Sequence, residues 1–212
     1  MAIATPRLLN ERFVCQCQQV ISQTPRTHTN TLHISEPMRL TFSSTDYRNS
    51  RLSDDYGHVL YTIETPSSWS KKTTISKHST WRSFGVSSEV VAVIDWHWIR
   101  SPTIHFRGQA VSAKTMFTRR FWTSNRSFVA SDGQTYKWKI KSTNCSLRAE
   151  KSSTELAKYH KRNFGIMKAS HPPYLEVSPS ILHILDDIVT SFVYVEKVSR
   201  DEQKRRREAA AG

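Results

Sequence analysis

Few residues in this chain are placed to do chemistry, and most of them are cations. The stretch Asp95-Trp96-His97-Trp98 is the one place where a carboxylate, an imidazole and indoles crowd together. On an extended strand Asp95 and His97 share a face about 7 Å apart, too far for a direct acid–base dyad without a bridging neighbour. An enzyme using Asp95 and His97 is one reading of this stretch. A structural polar cluster at a strand end is the other. The sequence holds no His-Glu-x-x-His, no Cys-x-x-Cys, no phosphate loop and no Gly-x-Ser-x-Gly elbow. The expectation is a non-enzymatic protein with no catalytic residues, no metal and no cofactor.

Anion binding has more to work with. Lys137, Lys139 and Lys141 alternate with Tyr136, Trp138 and Ile140, so a strand here would carry three ammonium groups on one face at about 7 Å intervals. Arg119 and Arg120 could join them. Lys204, Arg205, Arg206 and Arg207 form the only compact basic run, and a basic residue near an anionic membrane contributes about 1 kcal/mol. Each group has a plainer alternative: a solvated outward strand face for the lysines, and complementation of a helix macrodipole for the terminal run. With 31 Lys and Arg against 18 Asp and Glu, the formal charge of +13 fits an anionic membrane surface or an acidic protein as partner. Nucleic acid is an alternative supported by charge and not by any motif.

Three cysteines, with Cys15 and Cys17 adjacent but one and Cys145 distant, form neither a disulfide framework nor a zinc spacing. A reducing interior is expected. Arg7, Glu11 and Arg12 interrupt the first residues, which argues against a secretory signal, and no window offers the 18 or more apolar residues of a spanning helix. The chain reads as cytoplasmic, not transmembrane, and peripheral at membranes if its cations act there.

The elements that must position these residues are mostly strands. Residues 1–37 are polar and without period, a leader with at most a short helix over Leu8–Ile21. From Leu40 onward short β-rich runs alternate with turn chemistry. His58–Thr65 sets Val59, Tyr61 and Ile63 on one face, and Lys72–Lys77 reads as its hairpin partner. Glu89–Trp98 is apolar on both faces through Ile94, as for a central strand covered on both sides. A strand around Ile104–Phe106 is followed by a tight return at Gly108. Asp132-Gly133 is a positive-φ turn pair between two strand-like runs. The segments 155–161, 165–169 and 174–178 supply further short elements.

Residues 178–207 begin strongly apolar and end abruptly basic. β-branched residues favour a strand, but Ile181, Ile184, Leu185, Ile188, Val189, Phe192, Val193 and Val195 fill one arc at helical spacing, with Asp186, Thr190 and Lys197 opposite. Ser178 and Pro179 suit an N-cap and first turn. A partly buried helix over about 179–200 follows, with 201–212 a charged tail whose run through Glu208 can continue as helix. Asp186 and Asp187 in its apolar part argue against a membrane span.

The ordered set YGHVLYTIETP, EVVAVIDWH, SDGQTYKWK and HILDDIVTSFVYVEK resembles a fungal domain family of unknown function. That family is grouped with the tubby C-terminal-like superfamily, beside LURP-one-related proteins and phospholipid scramblases. The resemblance covers about residues 40–200, within a domain of 38–200. It implies a mainly β fold: a closed antiparallel tubby-like β-barrel of about 12 strands around a hydrophobic C-terminal helix. It also implies a candidate role in binding phosphoinositide headgroups, although no binding residues of the superfamily match here position by position. The long leader and the insert SKHSTWRSFGVSS depart from the pattern. Oligomeric state is left open.

Overall fold

The computed structural model describes residues 36–66, 72–81, 85–97, 99–119, 124–141, 144–163 and 170–212. The leader with its short helix, the segment 165–169, Trp98 and Arg120 lie outside the described residues, apart from Glu36 and Pro37 at the leader's end.

The elements, in chain order, are β1 (Met38–Phe42), β2 (Ser50–Ser53), β3 (Val59–Glu64), β4 (Lys72–Trp81), β5 (Gly85–Asp95), β6 (Thr103–Phe106) and β7 (Gln109–Ser112). There follow α1 (Ala113–Met116), β8 (Thr118–Arg119), β9 (Arg126–Val129), β10 (Thr135–Ile140), β11 (Cys145–Ala149), β12 (Glu155–His160) and β13 (Tyr174–Val177). A 3-10 helix (Pro179–Ile184) then leads into α2 (Leu185–Ala211). The strands form one 13-stranded sheet in the order β7-β6-β5-β4-β3-β2-β1-β13-β12-β11-β10-β9-β8. Every pairing is antiparallel, and neighbours in the sheet are neighbours in sequence except where β1 meets β13.

Turn chemistry sets several registers. Arg107 and Gly108 both take positive φ, 52° and 73°, which lets two residues reverse β6 into β7 with Phe106 opposite Gln109. Gly133, at φ 76°, closes the turn between β9 and β10, where Ala130 N–H donates to the Gln134 carbonyl at 2.9 Å. The β3–β4 hairpin and the turn at Asp132-Gly133 stand as the sequence implies.

The core is the inner face of the sheet closed on α2. Every residue from Asp187 to Glu196 is buried, about three turns without a wet side. Only a surround on all sides does this, so the sheet curls about the helix. Strand-favouring residues stay helical here because packing outweighs intrinsic propensity. Phe192 is the hub: its ring centroid lies 4.7 Å from Tyr159, 5.6 Å from Phe42 and 6.1 Å from Trp138. Trp138 Nε1 donates to Ser191 Oγ at 2.9 Å, which satisfies the indole inside the core.

Four expectations are corrected. The sheet is not a closed 12-stranded barrel. With 13 strands in alternating direction the two outermost, β7 and β8, run the same way, and only residues 113–117 join them. Parallel pairing needs a crossover of about a dozen residues or more, so the seam stays open to hydrogen bonding. Residues 113–117 cover it instead, with Ala113 buried and the Phe117 ring 4.4 Å from Tyr194. Second, β5 is fully covered on one face only: Ala92 and Ile94 enter the core, as does Trp96 just after it, whereas Val90, beyond the bulge, is 58% exposed, with no second layer outside it among the described residues. The apparent insert before Glu89 is the overhanging part of β4 and β5. Third, Thr190 is fully buried and does not join a polar face, since the helix has none at that level. Fourth, the α-helix starts at Leu185, after a 3-10 stretch kinked at Ile181 (φ −121°), and it continues through Ala211. Ser178 makes no cap bond; its Oγ meets Ser180 Oγ at 2.9 Å as the chain swings from β13 into the interior. The helical continuation through the charged tail is the one its sequence allows as far as Glu208, and it reaches Ala211.

Candidate anion-binding end

The strand directions sort the loops to two ends. The helix enters beside the turns after β6 and β9 and leaves among the loops after β1, β5, β8 and β12. At the exit each loop takes hold of a different side of α2. Lys197 Nζ sits 5.1 Å over the Trp96 ring and bonds Asp201 at 2.6 Å. Arg200 lies 4.5 Å over the Tyr47 ring, with its Nε donating to the buried Glu196 at 2.8 Å. Arg126, itself buried, donates to Glu202 at 3.2 Å, and Ser124 Oγ donates to the other Glu202 oxygen at 2.7 Å. Three contacts on three sides fix the helix rotation.

Two adjoining clefts lie at the loops after β1 and β12, the first of them also bordered by α2. One, of about 310 Å³, is lined by Lys161, Arg162, Arg200, Tyr159 and Thr45 among others. The second, of about 350 Å³, shares Thr45, Arg162 and Pro173 and adds Ser43, Ser44 and His171. Three cationic side chains with hydroxyls between them form a setting suited to phosphate or carboxylate oxygens. Burial works against the charge on Arg200, yet the Glu196 bond and charge, with Tyr159 and Tyr47 beside it, hold its pKa above the ordinary value. Burial, reinforced by Glu196, pushes the Tyr159 hydroxyl well up, so it remains a neutral hydroxyl at this cleft.

The residues nominated from sequence are dispersed by the fold. Lys137 is half-buried, 4.0 Å from Glu150, while Lys139 and Lys141 are exposed. Their strand face is one band of a mixed ladder, since Lys137 stands across from Arg148, and Glu155 holds both Arg148 (3.7 Å) and Lys158 (2.9 Å). Arg119 stands across from Arg126, which stands across from Trp138, so register puts Arg119 on the sheet face opposite the lysines. Lys141, at the top of β10, and the run Lys204–Arg207 belong to the exit end. In that run Lys204 is 3.8 Å from Glu208 and Arg206 is 4.0 Å from Glu202. Lys161, Arg162 and Arg200 were not singled out by sequence reasoning. The string KYHKR and the Glu196–Arg200 spacing were the available signals, and neither says that the two segments meet.

Asp95 and His97 are engaged separately: Asp95 is 3.6 Å from Lys72, and His97 Nε2 is 3.4 Å from Thr103 Oγ1. Trp96 points between them into the core and donates to Thr73 Oγ1 at 2.8 Å. Cys145 is buried, which pushes its thiol up and makes it a poor nucleophile. Among the described residues no group of three metal-ligating side chains gathers, and no helix is long and apolar enough to cross a membrane.

The entry end is carboxylate-rich. Asp186 accepts from Tyr61 Oη and pairs with Lys77 at 2.9 Å. Asp187, nearly inaccessible, accepts from Arg107 at 2.9 Å and from the Ser131 hydroxyl and backbone N–H at 2.9 and 3.1 Å. Burial raises the Asp187 pKa, partly offset by Ser131 and Arg107. Both aspartates occupy the first turn of α2, where the helix dipole favours negative charge.

An antiparallel sheet curled about a C-terminal helix defines a mainly β domain. Residues 45–201 match a family of unknown function, DUF6593, and the chain belongs to it. No curated protein matches the chain. An X-ray structure of a protein from Arabidopsis thaliana is similar over 77% of this chain and 91% of that chain, at 12% identity and a TM-score of 0.45. At that distance the likeness assigns nothing to this chain.

Proposed function

We propose that this is a non-enzymatic, tubby-like domain that binds anionic surfaces through its helix-exit end, acidic-lipid or phosphoinositide headgroups being the most concrete ligands. The observation that carries the reading is the segregation of charge along α2. Lys161, Arg162, Arg200 and Lys204–Arg207 outnumber Glu196, Asp201, Glu202 and Glu208 where the helix leaves the sheet, whereas Asp186 and Asp187 are balanced by Lys77 and Arg107 where it enters. Such a molecule is steered with its basic end toward a negative surface. The macrodipole explanation of the terminal run is weakened, because α2 extends through Ala211 and its last turn holds no basic residue. The enclosure of α2 by antiparallel strands supports the tubby-like reading, with the barrel left unsealed at the β7–β8 seam. Residence in the cytoplasm with peripheral attachment to membranes belongs to the same proposal.

Vesicle flotation at moderate salt tests it. The protein is expected to float with vesicles containing phosphatidylserine and phosphoinositide and to remain unbound with phosphatidylcholine alone. Neutralising Lys204, Arg205, Arg206 and Arg207 together, at about 1 kcal/mol each, should weaken binding on the order of a thousandfold. Equal behaviour on charged and neutral vesicles overturns the reading, and tail-dependent retention of duplex DNA without lipid binding would move it to nucleic acid.

A further inference from the structure

We propose that the free edge of β5, beside the β6–β7 turn, is a docking strand for an extended segment of a partner protein, one that brings a lysine or arginine to Glu89. The site lies at the entry end and is independent of the anionic-surface reading.

The two longest strands overshoot their neighbours. β3 pairs with β4 no further than Lys77, and β6 pairs with β5 no further than Ala92, opposite Phe106. Beyond that point the lane that β6 occupied is vacated, because Arg107 and Gly108 turn the chain back into β7. Along Ser87–Val91 the outer edge of β5 therefore has no strand partner among the described residues. A bulge at Val91, opposite Ile75 and Ser76, adds local twist where the overhang begins. Between them opens a groove of about 430 Å³, walled by Glu89–Val93 on one side and His105–Gly108 on the other, with Lys77 and Asp186 at its base.

A strand edge presents a row of backbone donors and acceptors that a second extended chain satisfies. Five residues of edge are about 17 Å long, enough for one short segment. Val90, 58% exposed, gives such a segment an aliphatic contact on the outer face. Charge selects the occupant. Lys77 is held by Asp186 and Arg107 by Asp187, whereas Glu89 forms no ion pair among the described residues. A basic side chain on the incoming strand, directly across from Glu89, completes the groove. A second copy of this chain fits poorly, since symmetric antiparallel pairing centred on Glu89 sets two carboxylates face to face.

The probe is the capped pentapeptide Thr-Val-Lys-Val-Thr, titrated into the isotope-labelled full chain while backbone amide shifts are followed. The comparison peptides carry Glu at the centre or N-methylated alternate amides. Expected are shifts confined to Ser87–Val91 and His105–Gly108, about two- to fivefold weaker binding of the Glu peptide, and loss of binding on N-methylation. Glu89→Lys should invert the charge preference while leaving the remaining amides in place. Silence at those amides at millimolar peptide, equal response to both charges, or an active N-methylated peptide overturns the proposal. Shifts at the same amides on raising protein concentration alone also overturn it, in favour of self-association.

Discussion

His160 shows how a single residue couples the fold to pH. Its ring stacks on Tyr174 with centroids 4.3 Å apart, and its Nε2 lies 3.3 Å from Glu176 without the alignment of a hydrogen bond. Burial depresses its pKa below 6.5, against the opposing pull of Glu176. A folded value below the unfolded one means that stability is complete above about pH 6.5 and is lost as pH falls through the folded value. Urea midpoints should drop between pH 7 and pH 5, and His160→Gln should flatten that slope; an unchanged slope would show that other groups set it. Thr190 poses the opposite case, a hydroxyl at 0% exposure whose Oγ1 has no hydrogen-bond partner among the described residues. Thr190→Val keeps the shape and removes the unsatisfied group, so thermal or urea unfolding should show a gain of about 1 kcal/mol. Neither residue's condition is legible in sequence: Thr190 read as polar-face, and His160 as one histidine among nine.

At the scale of elements, α2 decides the fold. Its apolar spacing gave the helix correctly, against the pull of a β-branched composition. The spacing could not say that the polar positions between would be enclosed too, because periodicity measures one partner face and the sheet supplies several. The helical stretch begins at Pro179 with Ser178 at the cap position, but as a 3-10 helix without a side-chain cap bond, and α geometry starts only at Leu185, beyond the kink at Ile181. Phe192→Asp tests the hub. Burying an unpaired carboxylate among Phe42, Tyr47, Trp138 and Tyr159 costs several kcal/mol, and the variant should lose its cooperative melt even without lipid. A near wild-type melt would mean that α2 is not the core. Among strands, β3, β10 and the hairpin turns were legible from alternation and Asp-Gly chemistry. β7 and β8, short and exposed, carry no such pattern.

The unit Ser35–Gly212 is polarised along the helix axis and asymmetric around it. Polarity follows from the excess of Lys and Arg over Asp and Glu at the exit end, against paired charges at the entry end. Asymmetry follows from the odd strand number, which leaves β7 and β8 as the two margins of the sheet, each with one strand neighbour among the described residues. Amide hydrogen exchange should rank accordingly: β1 and β13, flanked on both sides, slowest, and β7 and β8 fastest. Uniform protection around the sheet would indicate that the seam closes in solution. The same global view explains why the lysine face of β10 looked like a site in sequence. A linear reading sees Lys137, Lys139 and Lys141 but not Glu150 and Glu155, which long-range pairing brings alongside.

The sequence alone determined the β-rich class, the terminal helix, the main turns and the excess of positive charge, because each depends on spacing of a few residues or on composition. Tertiary structure alone decided that the sheet stops short of closure, that Lys161, Arg162 and Arg200 share a cleft, and that β5 overhangs its neighbours. Those outcomes depend on strand parity and register, which sum over the whole chain and leave no local signature.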